Sequence, residues 1–528
     1  MLFAVSVLIP LIAWHVSARI LDGRLHANMP PMPLILPFEP PSNNVTQRGA
    51  SMPPLNTTYY FDQLVDHTNA HLGTFKQRFW MDWEYYEPGG PILMFTPGEN
   101  NAENYTMYLT NGSIFGMVAQ QEKGATVLIE HRFFGFSNPY PDLTVASLKY
   151  LTIQQAIDDL AYFAENANLP MPGGDNVAPD KAPWVLLGGS YSGALPSFVK
   201  VNKPDVFWAG YASSGVVQSI VDFWEYFDII RQFMPQNCSA DVQAVVQHFD
   251  RVFTSGNQSA VTALKDAYGM KDVSHLDDVA GALRNNLWDW QKLSPLSGPG
   301  SLFFQFCDAL EVKDGRNAPA SGWGVEHAVG AWGAYFKNTY MNLLCGDMDV
   351  ATCIGTYNAS ASTYTDTAVN NAARSWQWIV CNEMGFFQDA APTGMPSIVS
   401  QLIQPMTSDE AFTPPRQCAM MFPEAFAEPR SPNVQKTNKA YHGWDVKADR
   451  LFFANGRRDP WRGATVSSDS HTVASTPSQP IVVSDGFHFS ELRAAAGDVD
   501  PTIKNVQMQA LSHMHTWMEE WRSIHGGR

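Results

Sequence analysis

Short apolar runs that end in turns recur in two separate stretches of the chain and predict β-strands. They comprise residues 74–80, 91–96, 125–129 and 185–187 in the first stretch, and 450–454 and 479–483 in the second. Apolar residues at helical spacing predict one helix from Ser147 to Asn168 and another from about Pro501 to Ile524. Because strands alternate with helices, we expect a mostly parallel sheet, with regular structure beginning near Tyr59.

The stretch from about residue 215 to 425 has a different pattern. It has few strand-like runs, contains helical windows such as Val242 to Phe253, and holds all six cysteines. The 528 residues also exceed the roughly 250–300 at which a single hydrophobic core stops growing. We therefore predict an α/β domain formed by residues 56–214 and 426–528, interrupted by a helical, disulfide-stapled cap formed by residues 215–425.

The amino terminus predicts export. Residues 1–18 carry no charged side chain, include the apolar run Leu2 to Trp14, and end in the small residues of Val16-Ser17-Ala18. This indicates a signal peptide, and the alternative, an uncleaved anchor, needs a longer apolar run. Residues 19–55 are proline-rich and predict a linker or a pro-segment. We expect a secreted or extracellular protein without a membrane anchor, the vacuole or lysosome being the alternative location.

Cysteine usage agrees with an oxidising compartment. Six cysteines allow fifteen connectivities, and short loops favour Cys345–Cys353 and Cys381–Cys418, which leaves Cys238–Cys307. No C-x-x-C pair is present, so zinc or redox chemistry is not expected. Seven N-x-[ST] sequons predict a glycoprotein in a eukaryotic host, at Asn44, Asn56, Asn104, Asn111, Asn237, Asn257 and Asn358.

Composition and charge exclude several classes of partner. The chain is 45% hydrophobic and 16% charged, which is typical of a globular protein, and its net charge is −17. Because phosphate-rich surfaces repel such a protein, nucleic acid and anionic membranes are not expected partners. The composition leaves the oligomeric state open.

The sequence Val185 to Leu195 predicts a nucleophile elbow, a sharp turn from a strand into a helix with a serine at its tip. Residues two positions from that serine must be small, and Gly188 meets this requirement before Ser190. Ser192 stands where the common G-x-S-x-G motif has its second glycine, and it is small enough to fit. Ser192 is a weaker candidate nucleophile because Tyr191, which precedes it, is large.

Two further residues complete a catalytic set. A serine needs a base to take its proton, and the base needs a carboxylate to orient it. In α/β-hydrolases the order along the chain is Ser, Asp, His, each on a loop after a strand, and Ser190, Asp459 and His488 follow that order. Taken singly, Asp459 is a turn-capping residue and His488 a solvated loop histidine. His131 also follows a strand, but it precedes the serine.

Four motifs together carry a resemblance to a known family: residues 188–193, residues 130–135, Asn455-Gly456 with Asp459-Pro460-Trp461, and residues 486–488. They resemble the prolyl carboxypeptidase family of serine peptidases (peptidase family S28), which includes dipeptidyl peptidase II and acid prolyl endopeptidases of filamentous fungi. The resemblance spans about residues 59–520, and the serine at position 192 is similar to the fungal branch. It implies an α/β-hydrolase fold with a helical cap and cleavage after proline, usually at acidic pH.

The same resemblance suggests the remaining site residues. Tyr191 and Gly98 are the candidate oxyanion donors, and proline-containing peptides are the expected substrates. Trp461 and Phe386 are candidate walls of a proline pocket, with core packing as the alternative. Glu99 is a candidate substrate-binding residue at the mouth of the site, whereas Glu130 is better explained as a buried carboxylate paired with Arg132 or a neighbouring loop. No metal cluster or dinucleotide motif is present, so we expect no metal and no cofactor.

Three functions remain open: a proline-specific endopeptidase or exopeptidase, an esterase or lipase on the same fold, and a catalytically inactive binding glycoprotein. The intact set of three residues favours a peptidase over the inactive protein.

Overall fold

A computed structural model describes residue 35, residues 51–403, 416–428 and 430–525, and the backbone of residues 407–408 and 411–412. The predicted signal peptide (1–18), most of the proline-rich segment (19–55) and the sequon at Asn44 lie outside the described residues.

The first part of the chain forms six strands and four helices. The strands are β1 (Tyr59–Leu64), β2 (Thr74–Asp82), β3 (Ile92–Thr96), β4 (Ala125–Ile129), β5 (Trp184–Gly189) and β6 (Ala209–Ser213). The helices are α1 (Ile114–Glu122), α2 (Val145–Leu148), α3 (Ile153–Asn166) and α4 (Tyr191–Asn202). The predicted helix start at Ser147 is wrong: Ser147 lies in α2, and α3 begins after Thr152, whose side chain caps it by accepting from the Gln155 N–H.

The middle of the chain is mainly helical, as the sequence predicts. Its helices are α5 (Glu225–Phe233), α6 (Gln236–Thr254), α7 (Gln258–Ala267), α8 (Leu276–Trp288), α9 (Leu302–Glu311), α10 (Val325–Tyr335), α11 (Met341–Cys345), α12 (Val350–Ile354), α13 (Ser362–Thr365), α14 (Ala372–Ile379), α15 (Arg416–Met421) and α16 (Val434–Tyr441). Its short strands are β7 (Ile220–Asp222), β8 (Val312–Lys313), β9 (Arg316–Asn317), β10 (Gly385–Phe387), β11 (Thr407–Ser408) and β12 (Ala411–Phe412).

Three disulfides cross-link this insertion: Cys238–Cys307, Cys345–Cys353 and Cys381–Cys418. This is the pairing that the loop lengths favoured.

The α/β pattern resumes with β13 (Leu451–Gly456) and β14 (Ile481–Ser484), followed by α17 (Ala494–Val499) and α18 (Pro501–His525). The principal sheet has the order β1-β2-β4-β3-β5-β6-β13-β14. Strands β1 and β2 are antiparallel to their neighbours, and the other six run parallel. This is the predicted α/β-hydrolase fold, with the helical insertion between β6 and β13.

Successive side chains of β5 point to opposite faces of the sheet and pack into two separate hydrophobic clusters. Leu186 belongs to the cluster that continues into the insertion, whereas Val185 and Leu187 belong to the cluster beneath α1 and α18. A strand with apolar side chains on both faces is buried on both faces, as expected for a central parallel strand. Its carboxyl end, where Ser190 follows, therefore lies at the middle of the sheet edge.

Candidate active site

Ser190 lies at the turn between β5 and α4, with φ 65° and ψ −125°. This conformation is uncommon for a residue with a side chain, and its neighbours must leave room for it. A Cβ at Gly188 would collide with the carbonyl of Ser192, and one at Gly193 with the carbonyl of Ser213. Ser192 fits because its hydroxyl donates to the Gly189 carbonyl over 2.8 Å. The predicted elbow is therefore present, with Gly188 and Gly193 as its obligatory glycines.

The structure brings the three predicted catalytic side chains together. His488 Nε2 lies 2.8 Å from Ser190 Oγ, and His488 Nδ1 lies 2.8 Å from Asp459 Oδ1. Because an ionised carboxylate only accepts, Nδ1 carries a proton and Nε2 is the acceptor for the serine hydroxyl. Asp459 Oδ1 also accepts from the Trp461 N–H over 2.9 Å. Asp459 follows β13 and His488 follows β14, so adjacent parallel strands deliver acid and base to one edge.

The site is closed to solvent. Ser190, Asp459 and His488 are 1%, 0% and 3% exposed. Two contacts fix the loops around them: Phe489 N–H donates to Ser214 Oγ over 2.9 Å, and Trp290 Nε1 of the insertion donates to the Arg458 carbonyl over 2.9 Å. No local pattern predicts these contacts, because each joins positions far apart in the chain.

Tyr191, the first residue of α4, has an N–H without an intrahelical acceptor. Its ring is buried, and its hydroxyl lies 3.1 Å from His131 Nε2. His131 Nδ1 lies 2.8 Å from the Arg132 carbonyl, which can only accept, so Nδ1 carries the proton and Nε2 accepts from Tyr191. Burial lowers the pKa of His131 to about 4, which keeps the ring neutral. His131 thus anchors the residue after the serine, a role that sequence reasoning missed.

Gly98 lies against the elbow on the loop after β3. Its φ is 66°, and a Cβ there would lie 2.9 Å from Ser192 Cβ. Its N–H points to Thr96 Oγ1 at 3.3 Å, which is a long hydrogen bond. Gly98 therefore contacts the elbow two residues after Ser190, and its own N–H has Thr96 Oγ1 as an acceptor.

Glu99 is a buried carboxyl beside the elbow. Desolvation raises its pKa to about 8, and its Oε2 accepts no hydrogen bond from the described residues. The next residue, Asn100, likewise has a buried Nδ2 without a described partner. Unsatisfied polar atoms are costly in a protein interior, so this loop has unused capacity to bind a polar group.

Trp461 and Phe386 are neighbours in an aromatic cluster next to the base. Their ring centroids are 5.3 Å apart, and Phe223 and Tyr226 each lie 5.4 Å from Trp461. The Trp461 ring lies 6.2 Å from that of His488. Both predicted pocket residues are fully buried. Phe386 comes from the insertion and Trp461 from the loop after β13, so the cluster joins the two parts of the molecule.

Of the two partners expected for Glu130, Arg132 does not pair with it, whereas the neighbouring loop does: Glu130 accepts from the Ser137 N–H and hydroxyl. Glu130 pairs instead with Arg78, at 2.6 Å and 2.9 Å, and accepts from the Ala102 N–H. Arg132 pairs with Asp159, at 2.5 Å and 2.6 Å. Glu130 is a buried, fully engaged structural carboxylate.

The described sequons are accessible. Asn56, Asn104, Asn111, Asn257 and Asn358 are exposed and Asn237 is half-buried. Within the described residues, no group of three or more His, Cys, Asp or Glu side chains is arranged to hold a metal ion. Among the described helices, none combines the length and apolar character needed to span a membrane.

Comparison with known proteins gives the family. The profile of the family described as Serine carboxypeptidase S28 matches residues 63–508. The serine protease vicPa of Bipolaris victoriae is 34% identical over 87% of this chain and 88% of its own. The "Probable extracellular serine carboxypeptidase" of Arthroderma benhamiae is 29% identical over 84% of this chain and 64% of its own.

Among solved structures, the proline iminopeptidase of Mycobacterium smegmatis aligns with 88% of this chain and 99% of its own, with 10% identity and a TM-score of 0.39. At this score the similarity supports no functional conclusion. The family match covers most of the chain, and the chain belongs to the S28 family of serine peptidases.

Proposed function

We propose that this protein is a secreted serine peptidase that cleaves peptide bonds after proline through an acyl-enzyme on Ser190. The observation that carries the proposal is the pair of 2.8 Å hydrogen bonds that links Ser190 Oγ, His488 and Asp459. Secretion is supported by the signal-like residues 1–18, the three disulfides and the name of the A. benhamiae relative.

The mechanism follows from the direction of these hydrogen bonds. Ser190 Oγ attacks the carbonyl carbon while His488 Nε2 takes the hydroxyl proton, and Asp459 stabilises the imidazolium that results. His488 then gives this proton to the leaving amine, and the C–N bond breaks to leave an ester on Ser190. Water attacks the ester with His488 again as base, which releases the acid and restores the hydroxyl.

The oxyanion forms beside the start of α4. The Tyr191 N–H is the first donor, and the positive end of the helix dipole adds to its effect. The second donor comes from the loop at Gly98, whose close approach to Ser192 is possible because Gly98 lacks a Cβ. The His131 contact keeps Tyr191 in place while the oxyanion develops.

Proline specificity is assigned to the cluster of Trp461, Phe386, Phe223 and Tyr226. The ring of proline has no N–H to satisfy, so flat apolar walls are the complementary surface. These rings lie beside His488, where the residue before the cleaved bond must bind. Because the cluster is filled by its own side chains in this structure, substrate entry requires a rotation of at least one of them.

Glu99 is assigned the role of binding the polar end of the substrate. With its pKa raised to about 8 it is uncharged at acidic pH, and it then donates a hydrogen bond as well as accepting one. An exopeptidase of the same family is the second candidate function, because a buried carboxyl at this position can hold a free chain terminus. An endopeptidase instead leaves both chain ends outside the site.

Digestion of a single proline-containing peptide separates these possibilities. The peptide is supplied in three forms: with both ends blocked, with a free amino end, and with a free carboxyl end. Cleavage after proline in the doubly blocked form identifies an endopeptidase, and cleavage only with one free end identifies an exopeptidase of that polarity. A short ester assayed in parallel tests the esterase alternative, which stands if the ester is cleaved and no peptide is.

Ser190→Ala tests the nucleophile in the same assay. We expect kcat to fall by at least about ten-thousandfold, because the attacking atom is gone while the fold is kept. Circular dichroism and the urea midpoint provide the folding control. Full activity in a folded variant would contradict the proposed function.

A further inference from the structure

A surface cavity lies in the insertion, away from Ser190. Its volume is about 470 Å³, within the usual range of small-molecule sites. One wall is α12 with the loop that precedes it, which the Cys345–Cys353 disulfide closes. The opposite wall is the start of α8 at His275. Because a disulfide fixes one wall and a helix start the other, the cavity is a preformed feature of the fold.

The lining of the cavity is amphipathic. Met348 and Tyr357 line it with large side chains that are 50% and 40% exposed. Hydroxyl groups from Ser274, Thr352 and Ser362 alternate with these apolar surfaces. Such a surface matches a ligand with apolar faces and many hydroxyl groups, which is the chemistry of a sugar.

Among the described residues that line the cavity, the one carboxylate already accepts hydrogen bonds. Asp278 accepts from Thr356 Oγ1 over 2.5 Å and from the Thr356 N–H over 3.2 Å. It therefore holds the segment of residues 355–358 in place, and both of its oxygens are already engaged in hydrogen bonds. This favours a neutral ligand over a metal ion or a charged metabolite.

A sequon stands on the rim of the same cavity. Asn358 is exposed and lines it, and Ser360 completes the acceptor motif. The turn is ordered: Ser360 N–H donates to Asn358 Oδ1 over 3.0 Å, and Ala361 N–H donates to the Asn358 carbonyl over 3.0 Å.

The preceding residue is equally fixed. The Tyr357 ring centroid lies 3.4 Å from the His275 ring and 3.4 Å from the Arg416 guanidinium, which must occupy opposite faces of the ring. The Tyr357 hydroxyl also donates to Asp277 over 2.8 Å. The attachment point of a glycan at Asn358 is thus held rigidly at the cavity edge.

We propose that an N-linked glycan on Asn358 folds back into this cavity, so that its first sugars pack against Met348, the exposed edge of the Tyr357 ring and the surrounding hydroxyl groups. The attachment supplies the ligand at an effective concentration in the millimolar range, so even weak sugar binding keeps the cavity filled. The bound glycan covers two large apolar side chains that water otherwise contacts. The proposal rests on passage through the secretory pathway, which is part of the proposed function, and is independent of the peptidase chemistry.

The first test is native trimming of the protein secreted from a yeast. An endoglycosidase that cuts between the first two sugars is applied to the folded protein, and each site is followed by mass spectrometry. We expect the Asn358 glycan to be cut at least about tenfold more slowly than the glycan on exposed Asn257, with equal rates after denaturation. Equal rates in the folded protein, or an unmodified Asn358 beside a modified Asn257, would overturn the proposal. Absence of glycan from every sequon of the secreted protein would overturn it as well.

Two variants sharpen this test. Ala351→Phe fills the cavity and should raise the native trimming rate at Asn358 to that at Asn257. Ser360→Ala removes the glycan but keeps Asn358, and should speed peroxide oxidation of Met348 by at least about tenfold. Ser259→Ala, which removes the Asn257 glycan, is the matched control and should leave Met348 oxidation unchanged. Oxidation rates that do not differ between these two sequon variants would contradict the packed glycan.

Discussion

At the scale of single residues, the contact between Tyr191 and His131 holds the elbow. Ser190 has a backbone conformation that costs of order 1–3 kcal/mol, and the next residue must hold it there. The Tyr191 hydroxyl does so by donating to the neutral His131 ring, while Trp376 of α14 packs 5.6 Å from the Tyr191 ring. The strain at Ser190 is therefore offset by contacts to both the sheet and the insertion.

Tyr191→Phe should destabilise the protein by about 1–3 kcal/mol, because it leaves the buried His131 Nε2 without a donor. The free energy of unfolding in urea measures this loss. The backbone N–H of Tyr191 is kept, so the variant should retain the triad and react with an active-site probe. Tyr60→Phe, at an exposed position, is the matched control and should change stability by less than about 0.5 kcal/mol. Equal stability of the two variants would show that the hydroxyl does not anchor the elbow.

Sequence order and local pattern indicated Ser190, Asp459 and His488, because each follows an apolar strand and hydrolase chemistry needs them in that order. The pattern could not show that His131 holds Tyr191, or that Arg78 rather than Arg132 pairs with Glu130. Such pairs depend on which side chains face each other across strands. Trp461 and Phe386 lie next to each other, and only packing shows that the insertion supplies three of the four rings in their cluster.

At the scale of elements, the elbow and the loop after β3 fit together at one close contact. Gly98 approaches Ser192 so closely that any side chain at position 98 meets the Ser192 Cβ. Serine in place of the usual glycine at position 192 is accommodated because position 98 is a glycine. The residue types that fit at positions 98 and 192 are therefore coupled.

Gly98→Ala should lower kcat/KM by at least about tenfold, because it pushes the oxyanion loop away from Ser190. Adding Ser192→Gly to this variant removes the clashing Cβ and should restore part of the loss. The part of kcat/KM that is not restored reflects the positive φ of residue 98, which alanine adopts less readily than glycine. Kinetics of the two single variants and the double variant measure the coupling. Strictly additive losses would contradict the proposed contact.

Six of the eight strands of the principal sheet could be predicted from the sequence, since they are short apolar runs next to turns. Strand β6 was missed because Ala209-Gly210-Tyr211-Ala212-Ser213 contains no β-branched residue, and pairing with β5 and β13 makes it a strand. The start of α3 was misplaced because α2 continues the helical spacing across a break. The insertion was recognisable from its helical pattern and cysteines, whereas its contacts with the triad loops were not.

At the scale of the whole molecule, several carboxyl groups are buried and form no direct salt bridge with a cation of the described residues. Desolvation raises the pKa of Glu99 to about 8, and those of Glu383 and Glu491 to about 7. In the unfolded chain the same groups lose their protons near pH 4.3. The folded protein therefore holds more protons than the unfolded chain between these values, so raising the pH favours unfolding.

We therefore expect stability to be greatest near pH 4–5 and to fall toward pH 8. Each such group lowers the free energy of unfolding by up to about 1.4 kcal/mol per pH unit within its window. Below this range the trend reverses, because carboxylates such as Asp469, whose pKa is lowered by the hydrogen bond from Arg462, become protonated. Urea denaturation across this pH range measures the profile.

Glu383→Gln is the control variant for this profile, because its amide oxygen can still accept from the Ile153 N–H but cannot ionise. In this variant the free energy of unfolding should fall less between pH 5 and 7 than in the wild-type protein. A wild-type protein that is more stable at pH 8 than at pH 5 would contradict the argument.

The central claim, that Ser190 is the nucleophile, is tested most directly by fluorophosphonate labelling of the native protein followed by peptide mapping. The hydrogen bonds from Ser190 through His488 to Asp459 predict a single adduct, on Ser190, that is lost when the protein is unfolded first. An adduct on Ser192 or elsewhere, or none on a folded sample, would contradict it.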